Sequence, residues 1–431
     1  MKRFFDFIVA LCISFLGYGI FIIYPTVGID TEAAILGYDE LILSWRTISR
    51  TGLSLIKEIF FPTYNQLLNN VLAIVFMALL VWIISQLLKL DIWVLSFVFV
   101  FMPFTYSQMY FQMQSFEVIL GSIIVLVSVY LLLNINYYLV FITVFLTGFS
   151  ISIYQSIFDY LLACSALFLL IKKEIVIKDF IFSSINIVGS FLVYWILNNV
   201  INSVPQSAYL TFEPFNLYST RAIVYSLIML IICIILYMSK RIDLFKAISL
   251  YIFLSSPVFT LVLTGSWKFR AMFPCGPFVL AIVLAYFVKN YKNLFVKFSS
   301  VLVILSCIMF TSYFEWKEIV RYNNDIEIAK KIISQIPSEN YRVQFVGKYI
   351  SGKTVFNAFT EPAGISFFAW DPVPHQSRSD HMLQLVGGKF NVSTPEQNAI
   401  ASEKYSTVPN FMETGHVYID KNEKVVVVRF S

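Results

Sequence analysis

The chain has 431 residues, of which 58% are hydrophobic, 17% aromatic and only 13% charged, and its mean hydropathy is +0.76. A soluble domain carries about 25% charged residues, so a single water-soluble globule is excluded. The 43 Phe and 25 Tyr against 16 Gly also exclude collagen-like and disordered classes. The net charge of +5 arises mostly in short loops between apolar runs, where membrane topology accounts for it, and it is no nucleic-acid signature.

The first apolar run, 4–24, follows Met1-Lys2-Arg3. It is longer than the h-region of a signal peptide and no small-x-small cleavage site follows it, so it reads as an uncleaved first span. A bilayer core needs roughly 20 apolar residues per helix. On that count the chain predicts about eleven spans: 4–24, 67–88, 92–111, 115–133, 137–152, 154–171, 180–201, 222–238, 246–264, 274–288 and 294–313. The stretch 137–171 is long for one helix and short for two, with Tyr154-Gln155 at the turn between its halves.

Basic residues set the expected orientation. With the N-terminus inside, the cytoplasmic loops hold twelve Lys and Arg and the opposite loops before residue 314 hold six: Arg46, Arg50, Lys57, Arg221, Lys268 and Arg270. An odd number of spans then puts the C-terminus outside. Two outer segments are long. The first, 25–66, carries Asp30, Glu32, Asp39 and Glu40, and its stretch 38–61 repeats Leu41, Trp45, Ile48, Leu53, Leu55 and Ile59 at helical spacing, as an interfacial helix would. The second, 314–431, has 13 basic and 13 acidic residues. It opens on a helical run (Ile326, Ala329, Ile332, Ile333, Ile336) and continues into strands at 342–346, 417–419 and 425–430. Domains are therefore expected at 1–313, transmembrane, and 314–431, a small extracytoplasmic α/β domain. All five cysteines lie in or beside apolar runs, with no CxxC pattern and no disulfide framework.

Several clusters suit chemistry. Asp30 and Glu32, directly after the first span, suit a general base toward an acceptor hydroxyl, since a carboxylate near a low-dielectric medium is easily tuned. A polar cap that ends the helix and marks the interface is the reading that the residues alone favour. Arg46 and Arg50, four apart, suit a phosphate, which Arg grips bidentately; pairing with Asp39, Glu40 or lipid head groups is the alternative. Lys268 and Arg270 oppose the positive-inside trend, and an anionic ligand at the outer surface would explain them. Glu117 and Asp159 fall inside spans, where ionisable groups are costly. With Tyr154 and Gln155, Asp159 would line a cavity wall; a helix-paired carboxylate is the competing view. His375 and His381 flank Arg378 and Asp380, but their six-residue spacing matches no zinc pattern, and a surface loop is expected. No nucleotide-binding fingerprint is present.

The motifs Val27-Gly28-Ile29-Asp30, Arg50-Thr51-Gly52, Ser152-Ile153-Tyr154-Gln155, Arg270-Ala271-Met272, Asp325-Ile326-Glu327-Ile328-Ala329 and Gly415-His416-Val417 occur along nearly the whole chain. In this layout the chain resembles the bacterial type II O-antigen glucosyltransferase family, polytopic enzymes of GT-C-like architecture. That resemblance implies an all-α polytopic membrane protein of the bacterial cytoplasmic membrane, moving glucose from a polyprenyl-phosphate donor onto a surface polysaccharide or its lipid-linked precursor. It also implies acidic active-site roles for Asp30 and Glu32 and a phosphate-facing role for Arg50 and Arg270. Taken with the residues' own chemistry, the expected donor-phosphate ligands are Arg46, Arg50, Lys268 and Arg270, and the expected cavity residues are Glu117, Tyr154, Gln155 and Asp159. No resident cofactor is expected; a divalent metal is compatible with the chemistry, but no ligand set stands out. A lipid-linked sugar flippase, a small-solute transporter and a polysaccharide polymerase are the other readings.

Overall fold

The computed structural model describes residues 2–202, 217–259, 261, 269–291, 293–347, 349, 364–370 and 376–430. Contacts divide the chain into two units, one of residues 1–23 and 39–311 and the other of residues 24–38 and 312–431. The short stretch Tyr24–Tyr38, however, belongs with the C-terminal residues rather than with the spans that flank it.

The regular structure of the first unit is all helical among its described residues, as an apolar chain in lipid requires, because a helix satisfies its backbone hydrogen bonds internally. The described residues of the predicted runs are mostly helical, and the end of the run 246–264 lies outside the described residues. Among the described residues, five helices are long and apolar enough to cross a membrane: Gln66–Leu88, Ser115–Asn134, Ile177–Val200, Thr220–Met238 and Leu294–Ile333. The pair Ile92–Phe101 and Pro103–Tyr110 becomes a sixth if its 57° bend lies within one span. The bend falls where Pro103, which lacks an N–H, starts the second helix. Other predicted runs form shorter apolar helices, among them Ile157–Leu170 and Cys275–Asn290. As expected, 137–171 splits at Tyr154-Gln155, between the helices Val140–Ile153 and Ile157–Leu170.

The expected interfacial helix over 38–61 is instead two helices, Tyr38–Thr47 and Thr51–Phe60. Ser49 between them takes the left-handed conformation (φ 62°), which ends the first helix. The carbonyls freed at the break are not orphaned: Gln155 donates its side-chain amide to the oxygens of Ile48 (2.8 Å) and Ser49 (3.2 Å). Trp45 and Leu53 are buried while Leu43 and Ile59 are exposed, so each short helix keeps one inward face. Gly52 lets the second helix approach Val140–Ile153 closely; a Cβ there would lie 2.3 Å from Ser152 Oγ and 3.0 Å from the Phe149 carbonyl oxygen.

The second unit is built on a mixed four-stranded sheet of order β2-β1-β4-β3, with β1 Arg342–Val346, β2 Asn391–Val392, β3 Tyr418–Asp420 and β4 Val425–Arg429. β1 runs parallel to β2 and β4, and β3 is antiparallel to β4. Three of these strands stand where the sequence predicts them, while β2 was not expected. Val343, Phe345, Val426, Val428 and Phe430 enter the main core with Ala329 and Ile332. Val346, Val425 and Val427 pack on the other face against Ala401 and Tyr405. Burial on both faces explains why Val425 to Val428 is an unbroken apolar run rather than an alternating one. In the β3–β4 turn Asp420 accepts the N–H groups of Asn422 and Glu423, both at 3.1 Å, and the Glu423 bond chiefly holds its carboxyl below the usual range.

Candidate active site

The acidic motif is built into the second unit from its own apolar flanks. Val27 and Ile29 are two apart and both enter the main core, which anchors the strand-like segment. Arg321 donates to the Val27 carbonyl oxygen at 2.9 Å and is itself paired with Glu318 and, at 3.2 Å, with Asp325. Asp325 in turn accepts from Ser366 Oγ (2.5 Å) and the Phe367 N–H (3.0 Å). This buried network fixes the backbone just before the carboxylates. Asp30 then adopts a left-handed conformation (φ 73°) at the residue before the helix Thr31–Leu36, without a side-chain bond to the helix N-terminus. Asp tolerates that region better than most residues, but a non-Gly left-handed residue is uncommon, and such strain concentrates at functional sites.

The two carboxylates are held by one guanidinium. Arg378 pairs through Nη1 with Glu32 Oε1 and through Nη2 with Asp30 Oδ1, the latter at 2.5 Å. His381 Nδ1 lies 3.8 Å from the same Glu32 oxygen. Arg378 and His381 sit on the helix Ser377–Leu385, whose Asp380, Met382 and Leu383 are buried. The sequence reading of this segment as a surface loop is thereby corrected: it is a helix that packs against the acidic motif. His375 lies outside the described residues.

In the first unit the predicted cations meet the connector 111–114, between the helices Pro103–Tyr110 and Ser115–Asn134. Arg50 is buried, donates to Gln114 Oε1 at 2.9 Å and stacks 4.7 Å above the Tyr154 ring. Arg270 stacks 4.1 Å above the ring of Phe111. Gln112 accepts from Gln66 at 2.6 Å and from Asn70 at 3.3 Å, so amides continue the polar lining. Arg46 does not share a face with Arg50, as the four-residue spacing had implied. The helix break at Ser49 turns it away, and it pairs with Glu58 at 2.5 Å. Lys268 lies outside the described residues.

The two intramembrane carboxylates differ. Glu117 forms a fully buried ion pair with Lys57, which also faces the Phe116 ring at 4.9 Å. Asp159 is buried in the first turn of Ile157–Leu170. Tyr154 lies under the Arg50 guanidinium, and Gln155 donates to the carbonyls of the 48–49 break. Among the described residues, no group of three or more His, Cys, Asp or Glu is placed to hold a metal ion.

Long apolar helices, polar clusters anchored at their ends and a small α/β unit define an α-helical membrane protein. Residues 19–209 match the model of the glucosyl transferase GtrII family, the type II glucosyltransferase family that the motifs resemble. The matched segment contains Asp30, Glu32, Arg46, Arg50, Glu117, Tyr154, Gln155 and Asp159. No curated protein and no solved structure matches the chain.

Proposed function

We propose that the protein transfers a glucosyl residue from a polyprenyl-phosphate-linked donor to a surface polysaccharide, or to its lipid-linked precursor, at the outer face of the bacterial cytoplasmic membrane. The observation that carries this reading is the family match over 19–209, a segment that contains a carboxylate pair fixed on a single guanidinium. In the proposed reaction an acceptor hydroxyl oxygen attacks the anomeric carbon of glucose. The carbon–oxygen bond to the phosphate breaks, polyprenyl phosphate leaves with the bonding electrons, and the hydroxyl proton passes to a carboxylate of the acidic motif. Configuration inverts in such a single displacement. Arg50 and Arg270 would hold the donor phosphate, for which a guanidinium is well shaped. Lipid phosphate is already a competent leaving group, so no nucleotide site is required.

Eleven spans, a cytoplasmic N-terminus and an extracytoplasmic second unit complete the proposal. The test is glucose transfer by the purified full chain in detergent from synthetic polyprenyl-phosphate glucose to a polysaccharide acceptor. Transfer supports the reading. No transfer from this donor, with transfer from a diphosphate-linked oligosaccharide, would make the protein a polymerase; no transfer from either would favour transport.

A further inference from the structure

We infer that Asp30 alone is the proton acceptor and that Glu32 acts through Arg378, as the buried end of a relay Glu32–Arg378–Asp30 that positions the base. This rests on the glucosyltransferase reading above and divides the labour within its acidic motif. The two carboxylates have opposite surroundings. Glu32 is fully buried, with its Oε1 on Arg378 and its Oε2 enclosed without a hydrogen-bond partner among the described residues. A group so enclosed has no route to a hydroxyl arriving from water. The Asp30 side chain is 32% exposed and stands on a left-handed residue at the start of a helix, which turns it outward from Ile29 in the core.

Arg378 reaches both carboxylates with different nitrogens of one planar fork. A fork held at one end by an immobile carboxylate has few orientations left, so its other arm fixes Asp30 Oδ1. The second oxygen of Asp30 is the one that takes the proton. A general base oriented by a third group is a recurrent catalytic arrangement, and misplacing the base by an ångström is costly in turnover. His381, 3.8 Å from Glu32 Oε1, closes the buried end of the relay.

The experiment measures turnover and donor KM for the full chain in detergent with polyprenyl-phosphate glucose. Asp30→Asn is expected to lose about 10²–10⁴-fold in turnover, the range for removing a general base. Arg378→Ala and Glu32→Gln are expected to lose about 10–100-fold in turnover at unchanged donor KM, and the double variant no more than either single one, because the two act in series. Millimolar guanidinium should restore part of the Arg378→Ala activity, which no purely structural role would allow. Arg378→Lys, which keeps the charge but not the fork, should fall between wild type and Arg378→Ala, and it serves where the alanine variant does not fold. Glu32→Gln as impaired as Asp30→Asn would overturn the assignment of the base. Turnover unchanged in Arg378→Ala, or a raised donor KM at constant turnover, would overturn the relay while leaving the glucosyltransferase reading intact. A wild-type chain that transfers no glucose would overturn both.

Discussion

At the scale of the residue, the same side-chain type has different consequences in different surroundings. Arg46 is a partly exposed partner of Glu58, whereas Arg50, four residues on, is buried between Gln114 and the Tyr154 ring. Exposed pairs of the first kind contribute about 0–1 kcal/mol, so the Arg46–Glu58 pair carries little stability. For Arg50→Lys the charge stays but the planar fork and the stacking are lost. Donor KM is expected to rise several-fold with a smaller change in turnover, read from steady-state kinetics. The Lys57–Glu117 pair behaves differently because neither group meets solvent. Glu117→Leu strands an uncompensated ammonium and should cost about 3–5 kcal/mol, whereas the double variant Lys57→Met/Glu117→Leu should regain most of it. Thermal unfolding of the three proteins in detergent checks this.

At the scale of the element, the 38–61 region shows how a break in a helix organises a site. Apolar spacing alone predicts one amphipathic helix there, since period 3.6 is nearly preserved across the break. The left-handed Ser49, capped by Gln155, places Arg50 at the N-terminus of Thr51–Phe60 and away from Arg46. Gly52 sets the depth of that helix. In Gly52→Ala the new methyl would meet Ser152 Oγ and the Phe149 carbonyl, and a main-chain oxygen inside a helix has little freedom to withdraw. Overpacking of this kind costs about 1–3 kcal/mol. The expected result is a lowered unfolding temperature together with a raised donor KM, because Arg50 moves with the helix it caps. An unchanged KM in a destabilised variant would separate Arg50 from donor binding.

At the scale of the whole molecule, charge distribution bears on topology. Twelve basic residues in one set of loops against six in the other, counted before residue 314, predict the N-terminus inside and the second unit outside. Cysteine introduced at the exposed Asn422 should react with an impermeant maleimide in intact cells. Labelling only after permeabilisation would place the acidic motif in the cytoplasm, since Tyr24–Tyr38 belongs to the same unit as Asn422.

The helical nature of the first unit, the turn at Tyr154-Gln155 and the strands 342–346 and 425–429 were legible in the sequence, because each depends on local pattern: long apolar runs, a polar interruption, a valine run beside a turn. So was the acidic motif as a candidate, since two carboxylates after an apolar run are conspicuous in one dimension. Its partner was not. Arg378 lies 348 residues from Asp30 along the chain, and no local periodicity links a polar, surface-looking segment with a single Arg to a loop after the first helix. The fate of Arg46 was hidden for a related reason, as a single left-handed residue breaks a helix without disturbing its apolar spacing. Local pattern determines which segments become helix or strand and which residues carry charge. The packing of distant segments decides which of those charges are buried together, because desolvation and pairing depend on distance in space and not on separation along the chain.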